Sequence, residues 1–510
     1  MPYNFMRIFP TTPARASARN ILPPPSKYSP QLGGRGSSTI RGSIRGQSRL
    51  SYWREIAVSA TELWTNIIVA SGRVPVKEEI STARLCMRRS GGQPINLFHT
   101  TPSLGPFSAE GLIGLDSHRL RSVVYRYADE DSGDELVRFL LPAVCLECLE
   151  IRGNGSFQLP TLFSGATPCL RDLVISRCTP WPSNQFGSLT SLSLLGQMDI
   201  DANIDSLLNV LRHSPHLEEL LLERKFGSSV QPQHPQKNEI SSIPLHSLKR
   251  LYICRVSVGA TKRLMGALDL LPNGVSMQFT DVSMDVGAIF PEAVMSKLPP
   301  RVATKLELIY PPAGGVILHA TNGVAHTRFV ERYHPRCRLF SWITERPREE
   351  YPLKEFWLHL DKDNPYEVPP PHALRNLETL VVVTDPCRMF NSTLPVFLFP
   401  NGDGIPSPFL STLELPNVSN VTKLMGVLKA RSDAGFRLKV LRIRWFDGCE
   451  ARMAPLAQFI KKLEFYHVTD VTSRGLELPK ECMMRSGRWK PWSRDFVGEM
   501  GRDVGRWDIR

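Results

Sequence analysis

The chain has 510 residues, 42% of them hydrophobic, which permits several domains or one elongated repeat array with a sizeable core. No apolar run approaches the roughly 20 residues of a membrane-spanning helix, so no membrane partner is expected. Of the net charge of +13, eight units come from residues 1–49, which hold no acid; the remainder carries 13 − 8 = +5, too mildly basic to argue for nucleic acid.

Residues 1–49 are rich in Arg, Ser, Gly and Pro, with the patches ILPPPSKYSP and GGRGSSTIRGSIRG, and are expected to form a disordered basic tail. The tail has no continuous apolar segment of the kind a secretory signal needs. Its Arg- and Ser-rich, acid-poor makeup also suits a mitochondrial transit peptide, and its three Arg-Gly dipeptides suit an RNA-binding segment.

SYWREIAVSATELW follows at 51–64. Trp53, Ile56, Ala57 and Ala60 share one helical face. Ser59 and Glu62 have the spacing of a capping box that opens a second turn, and Trp64, Ile67 and Ile68 extend the apolar face.

From about residue 95 the pattern L-x-x-L-x-L recurs. It reads LECLEI at Leu146, LRDLVI at Leu170, LTSLSL at Leu189, LEELLL at Leu217 and LKRLYI at Leu248, then LETLVV at Leu377, LSTLEL at Leu410 and LKVLRI at Leu438. Central residues are 24, 19, 28 and 31 apart from Leu149 to Leu251, then 24, 33, 28 and 22 apart from Phe356 to Leu463. Most of these lie in or near the period of leucine-rich repeats, roughly 20–29 residues. The wide gaps between Leu251, Leu306 and Phe356 are expected to hide degenerate copies, VSMQF (Val275, Met277, Phe279) among them. L-x-L places two side chains on one face of a strand, so stacked copies predict a parallel ribbon with an inward leucine core. The intervening residues should then point outward: Glu150, Val174, Ser193, Leu221, Tyr252, Glu307, Trp357, Val381, Glu414, Arg442 and Glu464. Connecting segments read as helices, with Ile204, Leu207, Leu208 and Leu211 at helical spacing. TKRLMGALDLL and TKLMGVLKA pair Leu264, Met265 and Leu268 with Leu424, Met425 and Leu428. Near the C-terminus, Phe496, Val497, Met500, Val504 and Trp507 predict a capping helix, which a solenoid end needs.

The chain lacks G-x-x-x-x-G-K-[ST], G-x-S-x-G and H-E-x-x-H, so it is not read as an enzyme, and no cofactor or metal is implied. Cys145 and Cys148 form a CxxC with no second pair to complete a zinc site, and read as ordinary thiols. DKDNPYEVPPPH opens like an EF-hand but has Tyr366 in place of the turning glycine and His372 in place of the bidentate glutamate.

Trp53, Arg54, Ile56, Leu63 and Trp64 match the W-R-x-I…L-W end of the F-box. Together with RLCMRRSGGQPINL, the repeats and GLELP near residue 475, they make residues 50–480 resemble F-box/leucine-rich-repeat proteins of mushroom-forming fungi. An F-box opens with an L-P-x-E-I/L-L helix; here ILPPPSKYSPQLGG stands in that place, and its prolines break helices. The resemblance implies a basic tail at 1–49, a partial F-box and linker at 50–92, and a curved α/β leucine-rich-repeat solenoid at 93–480. A tail or capping helix at 481–510 completes the chain. It also implies a substrate-recognition subunit of an SKP–cullin–F-box ubiquitin ligase, cytoplasmic or nuclear, or mitochondrial if the tail is a transit peptide. Trp53, Arg54, Ile56, Leu63 and Trp64 would then dock the SKP adaptor. Leu221, Tyr252, Trp357, Arg442, Arg444 and Tyr466 are the candidate contacts to a protein target. The alternative is a stand-alone interaction scaffold that has lost adaptor binding.

Overall fold

The computed structural model describes residues 51–70, 76–101, 116–127, 139, 141–153, 159, 161–178, 181–198, 200–225, 242–270, 274–282, 303–309, 316–331, 352–359, 374–383, 398, 405–416, 418, 420–445, 448–467, 475–478, 482 and 492. The basic tail and the C-terminal helix expected after residue 493 lie outside them. The described residues 51–59 belong to one unit and those from Ala60 to another. In the first, helix α1 covers 51–59.

The second unit opens with a 3-10 turn at Thr61–Trp64, strand β1 (Asn66–Ala70), helix α2 (Val76–Arg89), β2 (Ile95–Thr101) and β3 (Leu120–Tyr127). It continues with β4 (Cys148–Arg152), β5 (Asp172–Ser176), β6 (Ser191–Gln197), α3 (Ile204–Arg212), β7 (Glu219–Arg224), β8 (Ile243–Pro244) and β9 (Arg250–Cys254). Then come α4 (Val258–Ala267), β10 (Leu268–Asp269), β11 (Ser276–Thr280), β12 (Lys305–Ile309), β13 (Val316–Thr321) and β14 (His326–Glu331). The last elements are β15 (Glu355–His359), β16 (Thr379–Val382), β17 (Thr412–Leu415), α5 (Val421–Asp433), β18 (Leu438–Arg444), α6 (Cys449–Met453) and β19 (Ile460–Tyr466).

Seventeen of these strands form one sheet; β8 and β10 pair separately. From β1 to β7, then through β9 and β11, each strand lies parallel to the one before it. The same holds from β15 to β19. Between these halves the expectation of an all-parallel ribbon is corrected. The neighbour of β11 is β14, and β13 runs antiparallel between β14 and β12, which pairs with β15. Two reversals of direction restore the ribbon's orientation, so the sheet continues unbroken. The second reversal is made by Asn322-Gly323, a hairpin pair. Gly323 has φ +92°, and Asn322 Oδ1 accepts from the backbone N–H of Val324 and Ala325 at 3.0 and 2.8 Å.

Strand entry is uniform. One carbonyl accepts two successive N–H groups from the next strand: Glu147 O from Arg171 and Asp172, Arg171 O from Thr190 and Ser191, Thr190 O from Glu218 and Glu219. The same pattern returns at Thr304, Lys354, Glu378 and Ser411. The inward side is one continuous apolar core. Leu149, Leu173, Leu220, Leu251, Leu380, Leu413 and Leu441 are buried there, as the alternation predicts. Ile204, Leu207, Leu208 and Leu211 of α3 pack into the same core. The two look-alike helices are capped alike: Ser257 accepts from Ala260 N at α4, and Asn420 from Lys423 N at α5.

The front of the chain departs from its reading. Ser59 Oγ donates back to Ile56 O at 3.1 Å, and the turn at Thr61 has no side-chain cap, so no capping box forms. Ile67 and Ile68 belong to β1, not to a helix, and point to opposite faces: Ile67 is buried and Ile68 exposed. The ribbon therefore starts at Asn66, ahead of residue 93, and α2 joins its core through Ala83, Cys86 and Met87. Among the described residues no helix is long and apolar enough to cross a membrane.

Candidate functional site

The outward side of the sheet carries a row of residues in register. Leu221 pairs with Tyr252, and Tyr252 with Gln278. The row continues through Arg328, His319, Glu307 and Trp357. It then passes through Val381, Glu414, Arg442 and Glu464. The predicted outward residues thus lie side by side, and the hairpin inserts Arg328 and His319 among them.

Most of that row is covered. Leu221, Val174, Ser193, Arg328, His319, Glu307, Val381 and Glu414 are buried, and Tyr252 and Trp357 are half-buried. An apolar side chain such as Val381 gains from such burial, but charged groups at this depth need partners. Glu307 has them. Its Oε2 lies 2.7 Å from His319 Nδ1 and its Oε1 lies 2.9 Å from His359 Nε2. Burial pushes the Glu307 carboxyl up, but the hydrogen bonds and charges of the two imidazoles outweigh it and hold the group well below the usual carboxylate range. Each histidine takes a different oxygen, so the three do not converge on a point. Among the described residues no cluster of three His, Cys, Asp or Glu is suited to hold a metal. The carboxylate instead fixes the ring orientation of both imidazoles.

The far side of His319 meets Trp492, whose indole is 2% exposed and stacks on the imidazole at 5.8 Å between centroids, with 16° between planes. Trp492 N donates to Cys482 O at 3.0 Å, and Cys482 Sγ donates to Ser276 Oγ on β11 at 3.1 Å. Tyr252 and Leu478 pack against this pair. Burial holds the Tyr252 phenol well above its ordinary value, and the nearby Cys254 and Glu223 add to that.

Toward β19 the outward face opens. Arg442 is exposed and donates from Nε to Glu464 Oε2 at 2.8 Å, while Lys462 Nζ lies 2.6 Å from Glu464 Oε1. The Arg442 hydrogen bond, then that of Lys462, holds Glu464 below the usual range. Arg444 pairs in register with Tyr466, whose hydroxyl donates to Leu415 O at 3.3 Å. Of the predicted target contacts, Arg442 is exposed with Arg444 and Tyr466 half-buried beside it at the β18–β19 end, whereas Tyr252 and Trp357 are half-buried and Leu221 buried in the middle of the row.

The predicted adaptor contacts divide as well. Tyr52, Trp53 and Ile56 are exposed on α1, Trp53 by 62%, and Arg54 is exposed beside them. Leu63 is exposed in the following turn. Trp64 packs on the ribbon core with the Arg89 guanidinium 4.6 Å above its ring. Cys145 and Cys148 are free thiols; burial, then Asp172 and Glu147, pushes Cys148 up to about 11.

The sequence reading placed Glu307 in the row but missed His319, Arg328, His359 and Trp492. Two short runs rich in β-branched and aromatic residues, VILHAT and HTRFVE, on either side of the Asn322-Gly323 pair are the hairpin signal that points to the first two. No family model matches the sequence, and neither a curated protein nor a solved structure matches it.

Proposed function

We propose that the chain is a non-enzymatic protein-binding subunit whose ribbon holds a protein target, as the resemblance to substrate-recognition subunits of SKP–cullin–F-box ubiquitin ligases implies. The observation that supports it is the β18–β19 end of the outward face, where Arg442 is exposed, Arg444 and Tyr466 are half-buried beside it, and Trp445, next in the chain, is exposed. Arg, Tyr and Trp dominate hot spots of protein interfaces. Glu464 and Glu414 offset the arginines, so this end carries no continuous basic stripe of the kind nucleic acid requires.

A second reading, a scaffold without adaptor binding, is favoured by α1. Among the described residues, Trp53 and Ile56 are exposed on the helix at 51–59, and the L-P-x-E-I/L-L opening of an F-box is replaced by ILPPPSKYSPQLGG in the sequence. Half of a three-helix module buries too little surface for a full interface, so docking of the SKP adaptor is expected to be weak or absent. Affinity purification of the full chain, its Arg442→Ala/Tyr466→Ala double variant and its Trp53→Ala variant tests both. The double variant should lose protein partners that the wild type retains; identical partner lists would end the target reading at this surface. Robust recovery of the SKP adaptor, abolished by Trp53→Ala, would restore the full ligase reading.

A further inference from the structure

The middle of the outward row is built like a binding surface and yet is buried. Tyr252, Gln278, Arg328, His319, Glu307 and Trp357 follow one another across six strands. A face meant only to be covered by the chain's own core would be apolar, as the inward side is. Here the floor is polar, and a carboxylate with both oxygens engaged orients the imidazole at its centre. On that imidazole lies one flat aromatic ring from a distant part of the chain, Trp492, anchored by the thiol of Cys482 on the hydroxyl of Ser276.

We infer that the seat over His319 is a recognition site for a tryptophan-bearing peptide segment of a protein partner, occupied in cis by this chain's own Trp492. The inference rests on the protein-binding reading and assigns that surface a ligand chemistry and an internal competitor. An indole stacks flat on an imidazole whose plane is already fixed, so little ordering is left to the ligand. A tethered occupant acts at an effective concentration in the millimolar range. It therefore screens out weak ligands and yields to partners that also engage the β18–β19 end at Arg442 and Tyr466.

The test uses the full chain and a labelled synthetic peptide of residues 478–496 in trans. Trp492→Ala in the chain should bind the peptide at least tenfold more tightly than the wild type, and a peptide with its own Trp492→Ala change should not bind. A lock provides the second arm. Cys482 Sγ lies 3.1 Å from Ser276 Oγ, so Ser276→Cys should form a disulfide that holds Cys482, and the Trp492 bonded to its carbonyl, in place. Oxidised, this chain should bind the peptide at least tenfold more weakly than after reduction, with oxidised wild type as the control. The proposal is overturned if Trp492→Ala keeps the wild-type melting temperature and binds no better than the wild type. Where Trp492→Ala melts early, the lock decides: equal binding before and after reduction, or failure of the bridge to form, also overturns it. Target recovery that still depends on Arg442 and Tyr466 when both arms fail would remove this inference alone and leave the protein-binding reading standing.

Discussion

Glu307 shows how a single side chain can govern a face of the sheet. It is fully buried on β12, faces His319 from β13 and His359 from β15, and has Arg328 of β14 beyond His319 in the row. A carboxylate at this depth is tolerated only because its hydrogen bonds are charge-assisted. Glu307→Gln should forfeit about 1.5–3 kcal/mol for each such bond, measured as a lower urea midpoint with an unchanged slope. The pH dependence follows from the depressed carboxyl. Its stabilisation is complete above the unfolded-state value of about 4.3 and is lost as pH falls from there through the folded value. The gap in stability between wild type and Glu307→Gln should therefore be full at neutral pH and shrink below the ordinary carboxylate range. A gap that stays constant into acid would show that the carboxylate charge contributes nothing.

At the scale of elements, each strand of the ribbon turns two inward side chains to the core, fully removed from water except at the β19 edge, where Leu463 and Phe465 are half-buried. Leu220 on β7 lies between Leu192 and Leu251 in register, with no exposed surface to relax into. Leu220→Ala should cost about 2–5 kcal/mol by lost transfer energy and cavity formation, read from denaturant unfolding. The helices depend on their caps. Asn420→Ala removes the acceptor for Lys423 N at 2.9 Å and should cost about 0.5–2 kcal/mol. Because that bond is exposed, Asn420→Asp should restore most of the loss; a failure to do so would mean that the side chain acts by packing and not as a cap.

Across the whole ribbon, the two outermost strands differ from those between them. β1 and β19 each pair on one side only among the described residues, which leaves them as sheet edges. Lys461 and Lys462 are exposed on β19, and charged lysines discourage edge-to-edge pairing. Lys461→Val/Lys462→Val should raise the aggregation rate in a light-scattering assay without lowering the melting temperature; an unchanged rate would mean that the edge is protected by other means. In the separate N-terminal unit, Trp53 is so exposed that Trp53→Ala should change stability by no more than about 0.5 kcal/mol. Any effect of that change on adaptor recovery can then be assigned to binding. A melting shift of several degrees would place Trp53 in a structural role.

The α/β class, the inward leucines and the identity of the outward row were legible in the sequence, because L-x-x-L-x-L has a period of two over each strand and alternation dictates which face a side chain takes. Leu149, Leu220 and Leu441 follow from that rule without any tertiary information, and so do the positions of Glu307 and Arg442. Helix α3 was equally legible, since Ile204, Leu207, Leu208 and Leu211 have the spacing of one helical face. The order of strands at the middle was not. A strand's sequence specifies its faces but not its neighbours, and only packing decided that β14 rather than β12 would lie against β11. The strand at Ile67 and Ile68 was hidden for a related reason: a five-residue edge strand is too short to separate its period from that of a helix until β2 pairs with it. The site depended still more on tertiary structure. His319 and His359 reach Glu307 from 12 and 52 residues away, and Cys482 reaches Ser276 from 206 away. Contacts over such separations leave no local pattern, because they arise from the stacking of repeats and not from the sequence around any one of them.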